Sequence, residues 1–249
     1  MSGGDAVQHR ERVRRVAAAL ERSGLAPGPP QPCSYLPGRQ ARHIAFAVSE
    51  CPAGFYHALM DLNYRRSGEI FYRPACEGCD ECRAIRVAVA SFEPSRAQRR
   101  CWSRNADLEV TLGEPSTSPE KHALYQRYLT TRHDGQMDGS VEELARFLYS
   151  SSVRTIELEY RLGGRLLAVG LADVEPSVLS AVYCYFDPDE RSRSLGVFNV
   201  LRMIEECRRR GLAHLYLGYY VRDSQKMRYK REYRPNEILD GPGRWARSG

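Results

Sequence analysis

Two groups of residues in this chain carry most of its chemical promise, the cysteines and the basic side chains. In ACEGCDEC (residues 75–82), Cys76, Cys79 and Cys82 recur at three-residue intervals. That spacing suits thiolate ligation of a metal, but it is one thiolate short of the usual four. Of the 37 lysines and arginines only Lys121, Lys226 and Lys230 are lysine, and the last two share the five-residue stretch KMRYK. Lysine kept where arginine serves elsewhere points to a need for a compact ammonium with a tunable pKa. From Arg83 to Arg104 there are six arginines (83, 86, 96, 99, 100 and 104) and one acid, Glu93. From Arg208 to Arg247 eleven basic residues face four acidic ones, with tyrosines between them. Such clusters suit a phosphate backbone and exposed bases. The chain has no HExxH, no G-x-S-x-G and no P-loop, so three common catalytic classes have no support in it.

The elements that must position these residues are legible from periodicity. Residues 6–22 read as an arginine-rich helix, and the Pro/Gly-rich GLAPGPPQP breaks the chain after it. RHIAFAV and GEIFYRP read as strands on either side of a helix in PAGFYHALMDLNY. In RAIRVAVASFE, Ile85, Val87 and Val89 alternate as one face of a strand. SRAQRRCWSRNA reads as a basic helix with Ser95 as N-cap. These pieces form a smaller N-terminal α/β half, residues 1–105, which holds the cysteine motif. In a C-terminal half, residues 106–249, helical stretches near 118–132 and 140–149 precede three strands, TIELEYRL, RLLAVGLADV and SVLSAVYCYFD. Gly163-Gly164 joins the first two as a hairpin. A helix from about Leu195 to Arg210 and the strand HLYLGYY follow, and KMRYK should begin a helical turn that places Lys226 and Lys230 on one face.

Hydrophobic content of 42% and charged content of 27% are ordinary for a globular protein, and net charge is +6. No run of about 18 apolar residues and no signal peptide is visible, so a cytoplasmic protein with reduced thiols is expected, without a membrane partner. The order hairpin, strand, loop, helix, strand is similar to the core of GCN5-type N-acetyltransferases. The fold expected is therefore α/β (α+β), a mixed sheet with flanking helices. Acetyl-CoA enzymes of that type use a glycine-rich loop before the helix to cradle a pyrophosphate. The nearest match is RSRSLG, Arg191 to Gly196, with Ser194 in the place of the first glycine. A side chain there would crowd CoA, so CoA is the less favoured donor.

The segments PCSYLPGRQ, LNYRRSGEIFYRPACEGCDECRAIRV, FEPSRAQRRCWSRNADLEV, YLTTRHDGQMD, SAVYCYFDPDERSRSLGVFNVL and LYLGYYVRDSQKMRYKREYRP together span residues 32 to about 240. By them the chain resembles the arginyl-tRNA–protein transferase family, in its bacterial aspartate/glutamate leucyltransferase branch. The resemblance implies transfer of leucine from leucyl-tRNA to the α-amine of proteins beginning with Asp or Glu, which marks them for N-degron proteolysis. Tyr220 and Ser224 stand where the family pattern leads one to expect Trp and a further cysteine, so no essential thiol is expected there.

An aminoacyl ester is already activated, so the work is positioning, proton management and stabilisation of the oxyanion. Arginine grips an acidic side chain at two points, which makes Arg65, Arg66, Arg73 and Arg39, with Tyr72, candidates for the acceptor site. Tyr35, Tyr72, Tyr183, Tyr185 and Tyr219 are candidates for the leucyl and adenine pocket. Lys226, Lys230, Tyr229 and Asp187 are the candidates for catalysis, and Asp173 is a second strand-end carboxylate able to orient an amine. Arg96, Arg99, Arg100, Arg104, Arg228 and Arg231 are candidates for tRNA binding. His133 and Met137 fall in one of the matching segments. Cys33 joins Cys76, Cys79 and Cys82 to make four thiols. No cofactor is expected to be required, and an iron–sulfur cluster or zinc at those four is what the resemblance leaves open. The partners expected are leucyl-tRNA and acidic N-termini, not DNA. Arginyl-tRNA as donor, an acetyl-CoA-dependent N-acyltransferase and a non-enzymatic tRNA- or degron-binding module are the alternatives.

Overall fold

The computed structural model of the chain describes residues 3–132 and 139–248. The N-terminal part runs α1 (Gly3–Arg22), the two-residue strands β1 (Gln31–Pro32) and β2 (Gln40–Ala41), β3 (His43–Ala47), α2 (Phe55–Met60), β4 (Arg65–Ser67), β5 (Ile70–Pro74), β6 (Arg83–Ala88) and α3 (Arg96–Arg104). Next come β7 (Glu109–Gly113), α4 (Pro119–Arg132), α5 (Val141–Leu144) with a π turn to Tyr149, β8 (Thr155–Leu162), β9 (Arg165–Glu175) and β10 (Val178–Phe186). The chain continues with α6 (Leu195–Arg209), β11 (His214–Tyr220), α7 (Gln225–Arg228) with a 3-10 turn over Tyr229–Glu232, β12 (Asn236–Gly241) and β13 (Arg244–Ser248).

Eight strands form one mixed sheet in the order β13-β12-β6-β11-β10-β9-β8-β7, and β3-β5-β4 form a small second one. The central strand β9 is apolar almost throughout because both of its faces are covered: Ala168 and Ala172 lie in the core under α3 and α6, while Val169 and Leu171 lie in the core under α4. A third core joins α1, α2 and Phe71 to Val178 and Tyr216 at the start of β10 and β11. This arrangement bears out the expected mixed sheet with flanking helices. The boundary near residue 105 divides the sequence but not the sheet, because β6 of the first half lies between β11 and β12 of the second.

Local signals account for several elements. Ser95 caps α3 and forms a reciprocal capping box with Gln98. The helix expected over PAGFYHALMDLNY is shorter, because Asn63 turns the chain with φ 66° and releases it into β4. The edge strand β7 and the C-terminal hairpin β12–β13 complete the sheet beyond the strands read from periodicity. α1 docks through a buried polar network: Asp61 accepts hydrogen bonds from His9 (3.0 Å), the Tyr216 hydroxyl (2.6 Å) and the Trp245 indole (3.1 Å). His9 and His57 stack at 3.7 Å, and burial pushes His57 down to about 3, so it stays neutral. No described helix is long and apolar enough to cross a membrane.

Candidate active site

The site begins where two neighbouring strands part. β10 and β11 are parallel and pair only through Val178–His214, Leu179–Leu215 and Ser180–Tyr216. Beyond that point β10 runs on to Phe186 and β11 to Tyr220 with no partner between them. Bulges coincide with the parting: the β9–β10 register shifts between Ala181 and Tyr183, and the β11–β6 register between Tyr216 and Tyr219. A bulge bends its strand and increases local twist, so two bulges at one level open a wedge.

Arg65, from β4, fills the base of the wedge. Its Nη2 donates to the freed carbonyl of Ala181 at 3.0 Å, and its Nη1 is buried without a hydrogen-bond partner. Gly218 makes this fit possible: its φ is +80°, and a Cβ there would lie 2.5 Å from Arg65 Nη1. Lys230, from the 3-10 turn, is 7% exposed and donates to the Tyr219 carbonyl at 2.7 Å. Neither cation has a carboxylate partner among the described residues. Burial and the neighbouring Arg65 push Lys230 down to about 7, with the Cys82 thiol opposing. The Tyr229 hydroxyl feels burial and Cys184 of β10, which raise its pKa, and Arg65, which lowers it; its ring remains 48% exposed. Arg65, Lys230, Tyr229 and Cys184 therefore share one wedge. An always-charged guanidinium lies there beside an amine whose burial favours its neutral form.

The remaining residues singled out in the sequence distribute differently. Arg66 is buried in a two-pronged ion pair with Asp173, with Nε to Oδ2 at 2.7 Å and further bonds to Gly68 O and Thr155 Oγ1. Neighbours in a strand point to opposite faces, so only one of Arg65 and Arg66 can enter the wedge, and Asp173 is occupied by the other. Asp187 is also occupied: it caps the turn before α6 through the Asp189 amide, and Arg127 grips it at 2.8 and 3.2 Å. Lys226 is exposed whereas Lys230 is buried, so the expected common face does not form. The helix tightens from α to 3-10 after Arg228, which turns the last residues inward.

Arg73 lies 5.4 Å from the Tyr64 ring, and Arg39 is exposed on the rim of a shallow depression of about 520 Å³ with Arg42, Glu77 and Cys79. Tyr219 borders the wedge through its backbone carbonyl, and its ring meets Tyr72 edge-on at 6.3 Å. Tyr35 is electrostatically coupled to Tyr72, Cys82 and Arg65. Tyr183 and Tyr185 pack into the core under α4, and Tyr185 is fully buried. His133 and Met137 lie outside the described residues. Sequence reasoning did not single out Gly218, Asn63 or Cys184 for this site. Asn63, an amino acid that tolerates left-handed backbone, donates to the Cys82 carbonyl at 2.9 Å, while its own carbonyl accepts from the Tyr219 hydroxyl at 2.9 Å. The cysteine loop is thereby tied to the wedge.

All eight cysteines are free thiols. Burial and the nearby thiols of Cys33, Cys76 and Cys79 push Cys82 up to about 12, which brings the four N-terminal cysteines into one neighbourhood. As a donor set they suit zinc or an iron–sulfur cluster. No three of their sulfurs lie within 4.8 Å of one another, whereas tetrahedral Zn–S bonds of about 2.3 Å demand sulfurs roughly 3.8 Å apart. The loop is thus not closed to zinc dimensions, and a metal would have to draw the thiols together as thiolates. Cys101 and Cys207 are buried, and Cys51 and Cys184 are half-buried.

A basic surface adjoins the wedge. Arg96, Arg99, Arg100 and Arg104 are exposed on α3, and none of them has an acidic partner among the described ion pairs. Arg104 Nη1 and the Asn105 amide hold the carbonyls of Ser192 and Arg193 just before α6. Ser194 there has φ 53°, the left-handed conformation that glycine adopts most easily. Arg228 is exposed beside the wedge and Arg231 is half-buried.

Residues 31–100 match the family model described as arginine-tRNA-protein transferase, N terminus, and residues 120–240 match its C-terminus model. An aspartate/glutamate leucyltransferase of Pseudomonas paraeruginosa is 45% identical over 213 residues, 84% of this chain and 91% of that protein. One from Stenotrophomonas maltophilia is 45% identical over 223 residues, 86% of this chain and 88% of that protein. One from Chromobacterium violaceum is 42% identical over 219 residues, covering 87% and 90%. Among solved structures, a GCN5-related N-acetyltransferase from Anabaena variabilis covers 94% of this chain and 47% of its own at 10% identity, with TM-score 0.39.

Proposed function

The chain belongs to the arginine-tRNA-protein transferase family, and from that premise we propose that it transfers leucine from leucyl-tRNA to the α-amine of proteins beginning with aspartate or glutamate. The observation that carries this reading is identity of 42–45% to aspartate/glutamate leucyltransferases along 84–87% of the chain. The charge of the wedge supports it. Arg65 offers a permanent cation to an acidic acceptor, while Asp173 and Asp187 are already paired with Arg66 and Arg127. Among the described residues, Asp173 and Asp187 are thus not free to hold an arginyl side chain, and a leucyl side chain needs no carboxylate.

The reaction forms a C–N bond between the acceptor amine and the ester carbonyl carbon and breaks the bond from that carbon to the ribose oxygen. In the assignment we favour, Lys230 in its neutral form takes the proton that the attacking amine must lose, then returns one to the departing ribose oxygen. General acid–base help of this kind is worth about 10²–10⁴-fold. Arg65 Nη1 stabilises negative charge at the reacting carbonyl or on the acceptor carboxylate. The Tyr229 hydroxyl, whose pKa is raised, is a second donor towards the ribose. The arginines of α3, with Arg228 and Arg231, hold the tRNA. The chemistry of every step is supplied by these residues, and we assign the four N-terminal cysteines a structural role, with or without a metal.

The test supplies purified protein with leucyl- or arginyl-tRNA and peptides that begin with Asp, Glu, Asn or Gln. Leucine should appear on the Asp and Glu peptides alone. Equal transfer to the Asn peptide would refute cation-based acceptor reading, and preference for arginyl-tRNA would refute the donor.

A further inference from the structure

Aromatic side chains left in water on a basic surface ask for a partner. Six large hydrophobic residues are exposed among the described residues, and only Trp102 and Tyr229 of these are aromatic. Tyr229 belongs to the wedge. Trp102, 36% exposed, stands on α3 between Cys101 and Ser103, at the margin of the face that carries Arg96, Arg99, Arg100 and Arg104.

Its ring is held in place from the protein side. Phe198 of α6 meets it edge-on at 5.5 Å, and the Arg202 guanidinium lies 5.3 Å from its centroid. Arg202 Nε is buried and has no hydrogen-bond partner in the protein. The geometry also links Trp102 to the reaction site. Gln98, one turn earlier on α3, donates to the Glu232 carbonyl at 3.2 Å, in the same 3-10 turn that carries Tyr229 and Lys230. One helical turn is about 5.4 Å, so the indole stands about one turn along α3 from the residue that touches the 3-10 turn.

We propose that Trp102, backed by Arg202, is a stacking platform for an unpaired base of the donor tRNA 3′ strand. The inference rests on the reading that the protein takes an aminoacyl-tRNA, and it deepens that reading by naming what the strand touches on its way out of the wedge. The α3 arginines hold the phosphates and Trp102 holds a base, whichever base it is, because every base has a π-face. A rigid aromatic plane held by an edge contact and a cation needs little ordering when the strand arrives.

The experiment measures binding of two RNA hairpins that copy the acceptor stem, one with its unpaired 3′ end and one cut back to a blunt end, across a salt series. Base–aromatic stacking contributes about 1–3 kcal/mol per base, which at 1.4 kcal/mol per decade is about 5- to 150-fold in affinity. Trp102→Leu, which keeps an apolar contact with Phe198, should weaken the hairpin with the 3′ end by that factor and leave the blunt one unchanged. Trp102→Tyr should retain most of the affinity, and neither variant should change the salt slope. Arg100→Ala should weaken both hairpins and reduce the slope by about one. Equal affinity of the parent and Trp102→Leu for the hairpin with the 3′ end would overturn the platform while leaving tRNA binding intact. Failure of the parent to bind either hairpin would overturn the tRNA reading and the platform with it.

Discussion

Replacing Lys230 should make the protein more stable and nearly inactive at once. The side chain is 7% exposed, it meets no carboxylate among the described residues, and its one recorded hydrogen-bond partner is the Tyr219 carbonyl. Lowering a lysine from 10.5 to about 7 corresponds to about 5 kcal/mol at about 1.36 kcal/mol per pH unit. Below about pH 7 the lysine is protonated in both folded and unfolded chains, so folding bears the whole cost of burying an ammonium. Between about 7 and 10.5 the unfolded chain binds the proton and the folded one does not, so stability rises with pH across that window. Lys230→Met keeps the length and the packing but carries no charge. In urea unfolding it should exceed the parent by up to about 5 kcal/mol at pH 6, and the advantage should shrink steadily towards pH 10. Under single turnover with saturating leucyl-tRNA the same variant should be slower by about 10²–10⁴-fold. Lys230→Arg should be equally slow, because arginine does not lose its proton in this range. The parent rate should climb with pH through about 7, and that step should vanish in both variants. A parent-like rate and pH profile in Lys230→Arg would refute the proton relay. A Lys230→Met protein no more stable at pH 6 than at pH 10, relative to the parent, would refute the buried, strained ammonium.

Three further outcomes follow from the same contacts. Asp173→Asn removes the partner of the buried Arg66 and should destabilise the protein by about 3–5 kcal/mol, while transfer per folded molecule at low temperature stays at the parent level; denaturant midpoints and rates measured side by side decide this. Gly218→Ala forces a Cβ against the Arg65 guanidinium at a left-handed backbone position, so it should cost more than about 1 kcal/mol and slow transfer together; a stable variant with unchanged rate would remove Arg65 from the wedge. Serine at any one of Cys33, Cys76, Cys79 or Cys82 should remove whatever metal the purified parent holds, and metal analysis after anaerobic purification is the check; retention of metal by Cys33→Ser would break the four-thiol set.

Most of the fold was legible because its elements announce themselves locally. The capping box at Ser95 and Gln98, the Gly163-Gly164 hairpin and the alternation in TIELEYRL each set one element without help from distant residues. The three-residue strand β4 and the edge strand β7 escaped because they are short or largely exposed, and their pairing rather than their pattern makes them strands. Asn63 ended α2 early for a similar reason: the left-handed turn is fixed by what its side chain and carbonyl bind, Cys82, Ala84 and Tyr219.

The site was legible in its residue types and not in its geometry. Arg65 and Arg66 are indistinguishable in NYRRSG, yet β4 sends them to opposite faces, one to a buried carboxylate and one to the wedge. Which goes where depends on Asp173 and Ala181, more than a hundred residues away in sequence. Lys226 and Lys230 fit a helical spacing of four, yet the tightening after Arg228 keeps one outside and buries the other. The wedge itself depends on bulges in β10 and β11, and neither bulge has a sequence signature beyond Gly218. The chemistry therefore rests on a backbone event that four separated segments must share: β4 supplies Arg65, β10 a freed carbonyl, β11 a glycine that lets the guanidinium approach, and the 3-10 turn an amine whose pKa is lowered by burial first and by that cation second. The local types at these positions should accordingly be less forgiving than those of the sheet that surrounds them, and Gly218, which carries no functional group at all, should be as intolerant of change as the lysine.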